Sequence, residues 1–207
     1  MTDKYLVPGT QVLININGIT NEEQAEKYER LCATGRIIEL KENPIKGDFD
    51  FEHLKKIHKY IFQDIYEWAG KSREVNLSKG STLFCLPDFI EIAQKDIFGY
   101  LKSNNYFLGL NKEDFAKKAA YFLGELNALH PFREGNGRTQ REFIREVALE
   151  AGYSLNLEGT MVDKITRDNM VQASILSING DNSALERIIK ENLVKFSINS
   201  KIAEASK

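Results

Sequence analysis

His130-Pro131-Phe132-Arg133-Glu134-Gly135-Asn136-Gly137-Arg138-Thr139-Gln140-Arg141 is the stretch on which the reading of this chain turns. It lies between the two most strongly apolar helical patterns. One runs from Asn111 to Leu129, with Phe115, Ala119, Phe122, Leu123, Leu126 and Ala128. The other runs from Gly137 to Gly152, with Phe143, Ile144, Val147 and Ala148 as its inner face. A polar loop so placed is held by rigid elements at both ends, as a reactive loop must be. Gly135 and Gly137 allow close approach of backbone to a ligand, and Asn136 tolerates positive φ. The free N–H groups and the positive dipole end of the helix that follows form an anion site. Arg138 and Arg141 are three apart and share a helix face. Two guanidinium forks beside such a site point to more than one phosphate. Glu134 would repel phosphate unless a cation lay between them, and a carboxylate with phosphate oxygens is the usual holder of Mg²⁺. His130 precedes the loop, and an imidazole with an ordinary pKa of about 6.5 suits a general base near neutral pH. Pro131 and Phe132 anchor the loop in the core.

Working outward, the elements read as helices separated by short breaks. Asn21 to about Leu40 is a charged amphipathic helix capped by Thr20 or Asn21, followed by a loop through Pro44 and Gly47. From Asp50, the spacing of Leu54, Ile57, Ile61, Phe62, Ile65 and Trp68 predicts a helix that Gly70 ends. His58 falls on its apolar side as a hydrogen-bonded, partly buried histidine, and His53 is expected exposed. Val75, Leu77, Thr82, Leu83 and Phe84 flank Ser78-Lys79-Gly80-Ser81, which predicts a hairpin flap with Tyr66 and Trp68 near its base. Further helices are expected from Pro87 to about Ser103, at about 160–178 and at about 183–198, the last opened by a capping box, Ser183 to Glu186. The fold class is all-α with a small β-hairpin flap: a single domain over 1–207, with a core of about 50–195, a helical extension of about 9–45 and a tail of 196–207.

Composition excludes several classes. In 207 residues, 28 Lys plus Arg balance 30 Asp plus Glu to a net charge of −2, which leaves no global basic field for a nucleic-acid polymer. Charge is local instead, since Arg133, Arg138, Arg141 and Arg145 all fall within the motif region. No run approaches the roughly 20 apolar residues that span a bilayer. The start has no signal core. Cys32 and Cys85 form no CxxC, and the three histidines have no zinc spacing, so a reducing cytoplasm is the expected location. Neither a GxxxxGK[ST] loop nor a dinucleotide GxGxxG is present.

The motif HxFx[DE]GNGRxxR, matched here at every defined position from His130 to Arg141, resembles the signature of Fic-domain proteins. The similarity to bacterial Fic proteins extends from about Gly9 to Glu191. That resemblance implies transfer of AMP from ATP to a Tyr, Thr or Ser hydroxyl of a target protein, with release of pyrophosphate. His130 would take the hydroxyl proton, and Glu134 would hold Mg²⁺ at the α- and β-phosphates. Gly135, Asn136 and Gly137 would form the anion hole, with Phe132 counted beside them among the nucleotide-binding residues. Arg138 would meet the β-phosphate and Arg141 the γ-phosphate. Lys79, Gly80, Ser81, Thr82, Leu83 and Phe84 would form the flap that docks the target by strand pairing, with Thr82 and Phe84 at its outgoing edge. Relatives that phosphorylate depart from the pattern around the glycines and the second Arg, so the intact motif favours adenylyl transfer. An ATP-binding module without turnover, or transfer of another nucleotide or phosphoryl group, is the alternative. Implied targets are a bacterial type II topoisomerase or a small GTPase. Inhibition would come from a helix carrying [ST]xxxE[GN], for which Ser200 to Glu204 is the candidate and Ser154 to Glu158 a second match, or from a separate small helical antitoxin.

Overall fold

The computed structural model describes residues 3–80, 82–157 and 164–196. These group into two compact units, one within Met1–Ile92 and His130–Glu142, the other within Ala93–Leu129 and Phe143–Lys207.

In the first unit, α1 (Glu22–Glu42) is capped by Asn21, whose side chain accepts from the Gln24 N–H at 3.0 Å. It buries Ala33, Ile37 and Leu40 and packs on α2 (Phe51–Phe62), which Asp50 caps through the His53 N–H at 2.8 Å. Arg36 forks onto Asp64 at 2.7 and 3.1 Å. The apolar stripe of α2, Leu54, Ile57, Ile61 and Phe62, is fully buried, and each such side chain is worth about 1.5–3 kcal/mol. The helix stops at Phe62, earlier than the sequence pattern predicts. The N–H groups of Ile65 and Tyr66 both return to the Phe62 carbonyl, at 3.0 and 2.9 Å, and open a run of turns. Ile65 stays buried, so the apolar spacing outlives the helix.

Gly70 therefore ends the turns. Its φ is +81°, and a Cβ there would fall 2.8 Å from the Lys59 Cβ. His53, expected exposed, is buried, because residues 45–49 close over it: Phe49 N–H donates to Nδ1 at 3.3 Å and Nε2 meets the Ile45 carbonyl at 2.8 Å. The predicted hairpin forms as β1 (Ser78–Lys79) and β2 (Thr82–Leu83), antiparallel with Ser78 opposite Leu83 and Lys79 opposite Thr82.

A short 3₁₀ turn at Pro87–Phe89 leads into α3 (Ile90–Ser103), followed by α4 (Lys112–Leu129) and α5 (Asn136–Glu150). Next come β3 (Tyr153–Leu155), α6 (Lys164–Ile178), α7 (Ser183–Asn192) and β4 (Leu193–Lys195). In the second unit α4 packs on α6 and α7, and Gly124 lies so close to α6 that a Cβ would fall 1.9 Å from Ser177 Oγ. Phe98, Phe122 and Phe143 make edge and stacked contacts in its core.

The last helix, expected to reach about 198, ends at Asn192. Leu193–Lys195 is extended and pairs antiparallel with β3, Leu193 opposite Leu155. The capping box does not form as expected either. Asn182 is the N-cap residue, and the Ser183 N–H goes to Asp181 Oδ1 at 3.0 Å. The fold is mostly helical, with seven α-helices and two two-stranded antiparallel sheets among the described residues. No helix among these residues is long and apolar enough to cross a membrane.

Candidate active site

The site lies within the first unit, in the loop His130–Gly135 that joins α4 to α5. Two features set the shape of this loop. His130 has φ +44°, a left-handed backbone uncommon for a non-glycine residue, which turns the chain sharply out of α4. Asn136 then closes the loop with its side chain. Its Oδ1 accepts from the Phe132 N–H at 2.9 Å, and its Nδ2 donates to the Phe132 carbonyl at 2.7 Å. A buried side chain thus satisfies both backbone groups of Phe132, as a strand partner would. Asn136 is the first residue of α5, so the sequence reading of it as a residue tolerating positive φ is corrected. The left-handed positions are His130 and Gly135.

Gly135 has φ +81°, and a Cβ there would fall 2.3 Å from both Cε2 and Cζ of Phe62. The first hydrogen bond of α5 runs from Thr139 N–H to the Gly135 carbonyl at 3.1 Å. The N–H groups of Asn136, Gly137 and Arg138 therefore have no acceptor within the helix, and they face its open N-terminal end. Gly137 is exposed there, with Arg141 Nη1 placed 3.1 Å from where its Cβ would be. Glu134 folds back so that Oε1 accepts from the Gly135 N–H at 2.9 Å, and its side chain is 46% exposed. Arg138 lies with its guanidinium carbon 4.8 Å from the Phe62 ring centroid. Its Nη2 donates to Glu29 Oε1 at 2.6 Å and lies 3.4 Å from Glu134 Oε1.

The imidazole of His130 stacks on Phe84, with centroids 3.8 Å apart and planes 13° apart. Phe84 is buried, whereas Leu83 is exposed. Phe84, the residue after β2, thus turns inward onto the His130 ring. The buried Arg73 ties the flap to the same residue. Its Nε donates to the His130 carbonyl at 2.7 Å, Nη1 to Val75 at 2.8 Å and Nη2 to Cys85, while its own N–H donates to Pro131 at 2.8 Å. Burial lowers the Arg73 pKa from its ordinary value.

Phe132 is buried and stacked on His58 at 3.8 Å, which makes it a loop anchor. His58 in turn accepts from the Gly70 N–H on Nδ1 at 2.8 Å, so its hydrogen is on Nε2, which donates to the Glu134 carbonyl at 3.0 Å. Burial pushes its pKa down to about 3.

Lys79 and Gly80 are exposed at the hairpin tip, and Thr82 lies in β2. Ser81, Ser200 and Glu204 lie outside the described residues, as does Glu158. Tyr66 and Trp68, expected at the flap base, stack on each other at 4.3 Å, with Tyr5 edge-on to Trp68 and the Tyr66 hydroxyl donating to Glu29. Sequence reasoning missed Glu29, Phe62 and Arg73. Glu29 sits among Glu22, Glu23 and Glu26 on a charged helix, and nothing in the sequence marks it apart from them.

The Fic/DOC family model matches residues 48–148. Over 184 residues the chain is 38% identical to a Sinorhizobium fredii protein named a probable protein adenylyltransferase, covering 88% of this chain and 92% of that one. The chain belongs to the Fic/DOC family. It is also 42% identical over 200 residues to the protein adenylyltransferase VbhT of Bartonella schoenbuchensis, which aligns with 97% of this chain but extends well beyond it, so that the match takes in 41% of VbhT. Among solved structures, the Fic domain of a VirB-translocated effector of Bartonella quintana, with bound ADP, superposes with a TM-score of 0.83 at 25% identity, covering 92% of this chain and 94% of that domain. The Fic motif expected from His130 to Arg141 is thus held here as one folded loop and helix start.

Proposed function

We propose that this chain transfers AMP from ATP to a hydroxyl side chain of a protein, with pyrophosphate as the leaving group. The observation that carries this reading is the Asn136 clamp on Phe132. It fixes in one loop an imidazole at one end and, at the other, an open helix start bearing two arginines. In-line attack on an α-phosphate needs those two functions and little else, since phosphoryl-type transfer rests on positioning and charge neutralisation.

His130 takes the proton of the target Tyr, Thr or Ser hydroxyl, and Phe84 fixes the plane of the ring that receives it. The N–H groups of Asn136, Gly137 and Arg138 hold phosphate oxygens. Arg138 meets the β-phosphate and Arg141 the γ-phosphate, so the charge that gathers on pyrophosphate is neutralised as it leaves. The hairpin around Gly80 offers unpaired strand edges to an extended segment of the target, which aligns its hydroxyl.

The residues fit Mg²⁺ as a companion of the nucleotide. No group of three or more His, Cys, Asp or Glu that could hold a metal occurs among the described residues. One half-exposed carboxylate, Glu134, stands at the anion site and would hold the ion together with phosphate oxygens. Bound there, Mg²⁺ would neutralise phosphate charge. The targets we infer from the family resemblance are a bacterial type II topoisomerase or a small GTPase, with a small helical antitoxin as a further partner.

Incubation of the chain with Mg²⁺, a bacterial lysate and either α- or γ-labelled ATP tests the reading. Protein labelling from the α position alone is expected. Labelling from γ would assign phosphorylation, and labelling from neither would leave a nucleotide-binding module.

A further inference from the structure

Glu29 is the acidic residue of α1 that turns inward. Glu23 and Glu26 pair with Lys27 and Arg30 on the surface, with side chains 77% and 68% exposed, whereas the Glu29 side chain is 18% exposed. Its two carboxylate oxygens have separate partners. Oε2 accepts the Tyr66 hydroxyl, and Oε1 accepts Nη2 of Arg138 at 2.6 Å. Tyr66 is itself packed between Phe62 and Trp68, so the carboxylate is pinned from the side away from the arginine.

On Arg138, the contacts with Glu29 and Glu134 all fall on Nη2. Nε and Nη1 make no hydrogen bond among the described residues, and the flat face of the guanidinium rests on Phe62. Nη2 is therefore held, while Nε and Nη1 keep donors for other acceptors, each on its own side of the fork because Cδ lies between them. Glu29 and Glu134, the two carboxylates that meet Nη2, also line one cavity of about 330 Å³.

We propose that Glu29 is a positioning residue for phosphate recognition. From α1, 109 residues away in sequence, it holds Nη2 of Arg138 and so orients the guanidinium, whose remaining N–H donors are left for the β-phosphate. Glu29 thereby makes α1 part of the nucleotide site, acting through Arg138. The inference rests on the reading that Arg138 meets the β-phosphate. An exposed pair would carry little weight, but a half-buried one that fixes a ligand's orientation acts as an outer-shell partner does at a metal site, where its loss costs about tenfold or more.

Calorimetric titration of the full chain with AMP, ADP and ATP in Mg²⁺ tests it, using Glu29→Ala, Glu29→Gln, Arg138→Ala and the double variant Glu29→Ala/Arg138→Ala. Glu29→Ala is expected to weaken ADP and ATP by about tenfold and to leave AMP unchanged. Glu29→Gln, whose carbonyl still accepts from Nη2, should recover most of the loss. Glu29→Ala should add nothing in the Arg138→Ala background. Equal losses for all three nucleotides would make Glu29 merely structural, and tighter ADP binding by Glu29→Ala would make it a competitor for the arginine; either overturns the proposal. If Arg138→Ala binds ADP as the parent does, the β-phosphate reading itself fails. If Arg138→Ala weakens ADP and Glu29→Ala does not, only the positioning role fails.

Discussion

Replacing Gly135 by Ala tests how tightly the motif is built into the fold. Two separate costs arise. The backbone at +81° is left-handed, which costs a residue with a Cβ about 1–2 kcal/mol. The new methyl would also sit 2.3 Å from Cε2 and Cζ of Phe62, more than 1 Å inside the ordinary 3.5–4.0 Å carbon contact. Phe62 cannot simply retreat. It is fully buried, its ring lies 4.7 Å from that of His58, and the Arg138 guanidinium covers its face. Overpacking of this kind costs about 1–3 kcal/mol, so the sum is about 2–5 kcal/mol.

For a chain of this size that lowers Tm by roughly 4–20 °C, measurable by calorimetry or by circular dichroism at 222 nm. ATP affinity should fall with it, because Arg138 rests on the ring that must move. Gly137→Ala is the contrast. That position is helical, and the added Cβ meets only the flexible end of Arg141 at 3.1 Å. Its Tm should hold or rise, since Ala in a helix gains about 1 kcal/mol over Gly, while ATP binding weakens at the phosphate cradle. A Gly135→Ala protein that melts within a degree of the parent, or a Gly137→Ala protein as unstable as Gly135→Ala, would refute this account of the two glycines.

Three other outcomes are expected. His130→Ala should lower transfer of α-label by about a hundredfold or more, with ATP affinity by titration unchanged; a parallel loss of ATP binding would make the residue structural. Arg141→Ala removes a charged contact worth about 1.5–3 kcal/mol, so the Kd for ATP should rise roughly ten- to hundredfold while that for AMP stays put. The third outcome concerns acid. His58 is held neutral with its pKa at about 3, against an unfolded value of 6.5. Between these values the unfolded chain binds the extra proton, so stability falls as pH drops through that window, by up to about 1.4 kcal/mol per pH unit from this one site. Urea titrations at several pH values should show that slope flattened in His58→Gln, and equal slopes in the two proteins would contradict it.

The helices and the site were legible in the sequence for one reason: their signals are local. The stripe of α2, the apolar runs of α4 and α5 and the turn residues around Gly80 all act within a few positions. The motif lies within a window of twelve residues, His130 to Arg141. What stayed hidden depends on partners distant in sequence. The pairing of Leu193–Lys195 with β3 spans some forty residues, and it turned an expected helix end into a strand. His53 was misplaced because its cover comes from the loop before its helix. The roles of Arg73 and Glu29 exist only once the chain has returned on itself. Asn136 shapes the loop through its side chain rather than through the tolerance of positive φ that its residue type suggests.

Arg73 also has a consequence for how such a protein can change. Its guanidinium grips the carbonyls of Val75 and Cys85, the two ends of the hairpin, and the carbonyl of His130. The residues between those two ends are thus bracketed like a cassette in a fixed frame. Their sequence can be rewritten while the frame keeps His130 where it was. Change in the hairpin and constancy of the loop can then proceed separately, joined by a single buried side chain.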